Sequence, residues 1–230
     1  MREILEEGFE QLNIKFTEET YHKLKVFTAL LLEWNQKMNL TNIVDNKDIA
    51  IKHFLDSLTI YNYLNKKESL IDVGTGAGFP GIILKIVGYE GKITLLDSLK
   101  KRTTFLDEVI KKIELTNIET LHIRAEDGGR NKEYREKYFY ATARAVAPLN
   151  ILCEYCLPFV KKGGIFIAMK GSLEEEAESA IDKMGGTIVK KQRIILPKSD
   201  YHRNLIFIEK KRNTPSIYPR KAGTPTKRPL

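Results

Sequence analysis

Gly74, Gly76 and Gly78 alternate along Asp72-Val73-Gly74-Thr75-Gly76-Ala77-Gly78-Phe79-Pro80-Gly81. The segment follows the apolar pair Leu70-Ile71 and precedes Ile82-Ile83-Leu84. That order reads as a strand, a turn stripped of side chains, and a helix start. Glycine lets the backbone approach a ligand closely and adopt positive φ at no steric cost. The amides that open the following helix add a weakly positive field. Residues 76–81 also satisfy G-x-G-x-x-G, the dinucleotide pattern. A second apolar run, Ile93-Thr94-Leu95-Leu96, ends at Asp97. A carboxylate about twenty residues past the turn can accept from ribose hydroxyls. The glycines and Asp97 serve NAD and S-adenosylmethionine (AdoMet) alike. Asp72 favours AdoMet, because a carboxylate opening the turn repels a pyrophosphate and suits an ammonium and a sulfonium.

Other chemistry-bearing residues fall at the ends of later apolar runs, where open α/β sheets hold their ligands. Arg124-Ala125-Glu126-Asp127 offers backbone amides and an acid to an adenine edge; helix capping is the plainer use of Glu126 and Asp127. Arg144 sits among small apolar residues in Ala143-Arg144-Ala145-Val146-Ala147-Pro148, a costly position without an anionic or ligand partner. Lys170 ends Ile165-Phe166-Ile167-Ala168-Met169-Lys170 by the same logic, and Arg203 opens the last strand at that edge. Phe79 can pack on a cofactor or into the core. His53, Asp56 and Ser57 share a helix face and either close the pocket or cap local structure. His53 has no companion cluster, so no metal is expected. Cys153-Glu154-Tyr155-Cys156 matches C-x-x-C but lies mid-helix with no second pair, which disfavours zinc or redox work. There is no Walker A sequence and no G-x-S-x-G.

These residues need a scaffold. The chain has 230 residues, 42% apolar and 30% charged, enough for one substantial α/β domain plus an extension. No apolar run approaches the ~20 residues of a bilayer span. The acidic, amphipathic start is unlike a signal peptide. Two cysteines make no disulfide framework, and the expected compartment is the cytoplasm.

Residues 1–66 show helical periodicity, with Tyr21, Leu24, Phe27, Leu31, Trp34 and Met38 on one face and Thr17 as a helix start. A further helix is predicted from Ile49 to Leu64. Residues 67–210 alternate strands at 69–73, 92–97, 118–124, 138–145, 163–170, 187–195 and 203–210 with helices at 80–88, 99–114, 147–161 and 172–184. Alternation implies a doubly wound, mostly parallel sheet. The last two strands leave no room for a helix between them and should form an antiparallel hairpin. Seven strands with that ending look like the class I AdoMet-dependent methyltransferase (Rossmann-like) type, here with an N-terminal helical extension. Fold alone does not give the reaction.

The formal net charge is +8, and residues 210–230 hold seven cations, no acid and four of the eight prolines. Such a basic, proline-broken tail, 211–230, should be mobile when free. The favoured reading is a phosphate-binding arm that orders on RNA, with Tyr218 stacking on a base; a solubilising tail is the bland one.

Taken together, these segments resemble the ribosomal RNA small subunit methyltransferase G family, also called glucose-inhibited division protein B. The resemblance runs nearly end to end. It rests on Asn39-Leu40-Thr41, His53-x-x-Asp56-Ser57, the Asp72–Gly81 turn, Asp97-Ser98-Leu99 with Lys101-Arg102, Arg124-Ala125-Glu126, Ala143-Arg144-Ala145, Lys170-Gly171 and Tyr218-Pro219-Arg220-Lys221-Ala222-Gly223-Thr224-Pro225. It implies AdoMet-dependent methylation of a guanine N7 in 16S rRNA. The implied cofactor contacts are Gly74, Phe79, Ala125, Glu126 and Arg144, beside the turn glycines and Asp97. Arg124, Lys170 and Arg203 would lie around the target base, with Arg144 or Lys170 donating to guanine O6. The implied partner is the small ribosomal subunit or its 16S rRNA, with no membrane, metal or obligate protein partner. A nicotinamide oxidoreductase and a non-catalytic RNA-binding assembly factor are the alternatives; the first leaves Asp72 and the basic tail unexplained.

Overall fold

A computed structural model describes residues 1–171 and 176–230. Seven strands form one sheet: β1 Leu70–Val73, β2 Ile93–Asp97, β3 Ile118–His122, β4 Tyr138–Arg144, β5 Val160–Lys170, β6 Gly186–Ile195 and β7 His202–Lys210. Their order across the sheet is β3-β2-β1-β4-β5-β7-β6. β1 to β5 pair in parallel, and β7 runs antiparallel to both β5 and β6. The order reverses at β1 and β4, so a crevice opens beyond their carboxyl ends.

Both faces of the sheet are covered, and side chains alternate between them as a period of two requires. In β7, Leu205 and Phe207 join one apolar cluster while Ile206 and Ile208 join the other. The first cluster includes Leu5, Phe9, Phe27 and Phe54, so residues before the sheet bury one of its faces. Phe27, on the helix Glu18–Asn35, meets the rings of Phe54, Phe79 and Phe105 at 6.0, 5.5 and 6.3 Å. Thr17 caps that helix by accepting from the Thr20 amide, as the sequence suggests. Truncating a ring buried this way typically costs ~3–5 kcal/mol.

Several expected elements differ. The helix expected over 49–64 is a π-helix at Ile49–Leu55, a short α turn at Asp56–Leu58 and a 3-10 turn at Tyr61–Tyr63. Ile49, Ala50, Ile51, Phe54, Leu55 and Leu58 are all buried, and the wider turn spreads them over more than one face. The helix expected over 147–161 stops at Cys156, followed by the 3-10 turn Leu157–Phe159 with Pro158 in its first turn. Strand β5 therefore starts three residues early. Part of the helix expected over 172–184 lies outside the described residues; the described helix is Glu178–Lys183.

The tail departs most from expectation. It is folded onto the body rather than free. Arg130 Nε donates to Pro219 O at 2.6 Å, and Arg135 donates to Tyr218 O and Thr214 O at 2.8 and 2.6 Å. Pro219 and Pro225 pack inward, and Tyr218 packs on the second apolar cluster. Four of the seven cations are engaged internally: Lys210 is buried against Glu136, Lys211 pairs with Glu209, Arg212 with Asp182 and Arg220 with Glu154. The charge count of residues 210–230 does not show this, because the partnering acids lie outside that segment, Glu136, Glu154 and Asp182 far from it in sequence and Glu209 beside it. Among the described residues no helix is long and apolar enough to cross a membrane.

Candidate active site

The glycine turn leaves β1 with Gly74, Gly76 and Gly78 at φ of +70°, +61° and +96°. Their uses differ. A Cβ on Gly76 would meet only Gly74 O, at 3.9 Å, so the space beside this residue is open and its positive φ is what calls for glycine. A Cβ on Gly78 would stand 2.6 Å from Ile82 Cγ1 and 2.8 Å from Leu106 Cδ2, so this glycine serves close packing. On Gly74 it would stand 2.8 Å from Val146.

Asp72 does not face a ligand. It is fully buried, and its Oδ2 accepts from Thr75 Oγ1 at 2.7 Å and from the Gly81 amide at 3.0 Å. Burial pushes its carboxyl up to about 6, against these hydrogen bonds. Asp72 thus closes the turn onto the next helix, and its charge gives no reason to prefer one cofactor. Asp97, at the end of β2, braces the same turn. It accepts from the amides of Gly76 and Leu99 at 3.0 and 2.9 Å and pairs with Arg102 at 3.3 Å.

A cleft of about 410 Å³ lies beyond the carboxyl ends of β1, β2 and β4. Gly74, Asp97, Arg124, Ala125 and Glu126 line it, as do Val146, Tyr155, Gly223 and Thr226. The opening of the helix Ala125–Arg130 brings Arg124, Ala125 and Glu126 there. The lining fits AdoMet: turn backbone at Gly74, an acid at Asp97, and the Glu126 carboxylate beside small residues. Tyr155, Gly223 and Thr226 carried no sequence signal for this role.

Gly76, Gly78, Phe79 and Arg144 lie outside that lining. Phe79 stacks on His53, with ring centroids 4.4 Å apart and planes at 15°. The Arg144 guanidinium lies 5.0 Å over the same ring. Arg144 NH1 donates to Asp56 Oδ2 at 3.0 Å and to the carbonyls of Lys52 and His53 at 3.2 and 3.4 Å. Asp56 also takes Arg203 Nε at 3.2 Å. His53 Nε2 is 2.9 Å from Thr41 Oγ1, and Ser57 Oγ donates to His53 O. Burial, helped by the Arg144 charge, pulls the His53 imidazole down to about 3, so it is neutral at ordinary pH. Burial also lowers Arg144, opposed by Asp56 and Asp72.

Lys170 Nζ donates to Ala147 O at 2.8 Å, steadying the segment after β4. Arg144, Lys170 and Arg203 therefore share one edge of the sheet, whereas Arg124 stands apart in the cleft. Cys153 and Cys156 are both buried, and burial pushes the Cys156 thiol well above its usual range. Among the described residues no group of acids, histidines and cysteines could hold a metal.

Known proteins carry this arrangement further. The family model described as rRNA small subunit methyltransferase G matches residues 20–206. The chain belongs to that family. Ribosomal RNA small subunit methyltransferase G of Alkaliphilus oremlandii is 52% identical over 236 residues, spanning 100% of this chain and 99% of its own. The protein of the same name from Acetivibrio thermocellus is 52% identical over 234 residues, spanning 100% and 97%. Solved structures give the fold alone. A SAM-dependent O-methyltransferase from Thermotoga maritima aligns at TM-score 0.52 and 17% identity, over 80% of this chain and 72% of that one. TYW2 from M. jannaschii, in complex with AdoMet, aligns at TM-score 0.53 and 13% identity, over 67% and 73%. A class I methyltransferase sheet is thus the scaffold of this small subunit methyltransferase G family member.

Proposed function

We propose that this chain is an AdoMet-dependent methyltransferase that modifies N7 of a guanine in 16S rRNA of the small ribosomal subunit, working in the cytoplasm. The observation that carries the reading is end-to-end similarity, at 52% identity, to ribosomal RNA small subunit methyltransferases G. The cleft at the sheet's switch point supports it independently. Gly74, Asp97, Ala125 and Glu126 would hold AdoMet there, with Gly76 tied to Asp97 behind them. AdoMet, when bound, supplies a methyl group on a positively charged sulfur.

The chain's own work is positional. Guanine N7 carries an available lone pair, so no side chain has to remove a proton before attack. A neutral His53 is in keeping with a reaction that needs no acid or base. Orientation of the two reactants can supply much of the rate. Positive charge appears on the base as it is methylated. Arg144 or Lys170 would donate to guanine O6, and Arg203 would hold Arg144 in place through Asp56. A base must leave its stack to reach such a pocket, which favours a loop over a perfect duplex.

Calorimetry with AdoMet and with NADH tests the cofactor, and transfer of label from methyl-labelled AdoMet to small-subunit rRNA tests the reaction. Binding of AdoMet with label on the RNA is expected. Tight binding of NADH without AdoMet would sink the reading.

A further inference from the structure

We propose that the C-terminal segment is a wall of the AdoMet cleft, and that Arg220 is a positioning residue that sets Glu126 for the ligand through Gly223. This rests on the reading of the cleft as an AdoMet site.

The anchor is a buried acid. Glu154 lies on the helix Leu149–Cys156, and its side chain is only 1% exposed. Both of its oxygens are taken by one residue. Oε1 accepts from the Arg220 amide at 2.6 Å and from Nε at 2.9 Å, and Oε2 accepts from Nε at 3.1 Å and NH2 at 2.6 Å. A two-pronged, charge-assisted pair of this kind is among the strongest and most directional contacts a side chain can make.

Three residues on, the chain reaches the cleft. Gly223, at φ +80°, donates its amide to Glu126 Oε1 at 2.8 Å. Glu126 is nearly buried and lines the cleft. With Oε1 held by the tail, Oε2 is the oxygen left for a ligand donor. Thr226 then lines the cleft as well, its Oγ1 3.0 Å from Tyr155 OH. The clasp at Glu154, the amide on Glu126 and the hydroxyl at Tyr155 are three successive ties, and the last two are in the cleft itself. Lys221, Lys227 and Arg228 are exposed and take no part in them.

The tail's end of the cleft is the Ala125–Glu126 end, which faces the nucleoside half of the ligand on the sheet's usual plan. Adenosine alone should therefore sense the tail as strongly as AdoMet does.

The test is calorimetric titration of the full-length protein with AdoMet and with adenosine. Arg220→Ala is expected to weaken both at least tenfold. Because that variant strands the Glu154 charge, the pair Arg220→Ala with Glu154→Leu removes both partners and should show the same loss. Thr226→Trp leaves the clasp intact and fills the cleft, and should also cost at least tenfold, whereas Thr226→Ser should retain affinity. Lys227→Ala with Arg228→Ala should leave AdoMet affinity unchanged, and RNA affinity without AdoMet should be unchanged in Arg220→Ala. Unaltered AdoMet and adenosine affinities in the folded Glu154→Leu/Arg220→Ala and Thr226→Trp proteins would overturn the proposal. Failure of the unaltered protein to bind AdoMet would instead overturn the cleft reading beneath it.

Discussion

Arg144 on β4 and Asp56 in the helical run before the sheet form an ion pair at 3.0 Å, with side chains 12% and 2% exposed. Arg203 of β7 reaches the same carboxylate at 3.2 Å. One acid from the N-terminal region therefore ties two strands of the sheet edge. Removing a partner from such a pair leaves buried charge uncompensated. Asp56→Ala should lower the unfolding free energy by ~3–5 kcal/mol, measured by urea denaturation. A loss below ~1 kcal/mol, the scale of an exposed pair, would show that the pair is solvated.

Arg144→Ala is milder for the fold, because Asp56 keeps Arg203. Its effect should fall on the reaction, as should that of Lys170→Ala. Misplacing a reactant by about 1 Å can cost about 10²-fold in rate. Single-turnover methyl transfer by folded variants is the check, and unchanged rates in both would remove these residues from the reaction.

His53 predicts an acid-sensitive fold. Its imidazole is held down to about 3 from an ordinary 6.5, so the unfolded chain binds a proton that the folded one refuses. Stability is full above about 6.5 and is lost as pH falls toward 3. Asp72 works the other way: raised to about 6 from 3.8, it favours the fold at low pH, and that gain is lost as pH rises through 6. Comparison with His53→Gln cancels the Asp72 part. The unaltered protein should lose stability relative to the variant by up to ~1.4 kcal/mol per pH unit between about 6 and 4. Parallel stability curves would contradict a buried neutral His53.

The glycines of the turn should separate by substitution. Gly76→Ala meets open space and bears only the left-handed backbone, a cost of about 1–2 kcal/mol. Gly78→Ala adds collisions with Ile82 and Leu106 and should cost more than that in thermal or urea unfolding. Equal costs would mean that packing around Gly78 gives way freely.

The sheet was legible because its signals are local: apolar runs, glycine punctuation and a final pair of strands too close for a helix. The carboxyl-edge rule likewise put Gly74, Asp97, Ala125 and Glu126 in one cleft. What escaped depends on contacts between distant segments. From sequence Asp72 reads as facing a ligand, because nothing in the residue types shows that Thr75 and Gly81 fold back onto it. The family resemblance groups Phe79 and Arg144 with the cleft, whereas they pack against His53 and Asp56 from the N-terminal region. The tail reads as a free arm because its cations are clustered, while the acids that hold Arg212 and Arg220, Asp182 and Glu154, are distant in sequence. One signal was available: Glu154 is an acid in the apolar run Leu149–Cys156, the same anomaly that singled out Arg144, and Arg220 answers it.

The most direct measurement is methyl transfer from labelled AdoMet to small subunits, and to naked 16S rRNA, from cells lacking this protein, mapped by cleavage at N7-methylguanine. The expected result is one new cleavage site that depends on AdoMet. Label at another position of guanine would contradict N7 chemistry, and no transfer to either RNA, despite AdoMet binding, would contradict the proposed activity.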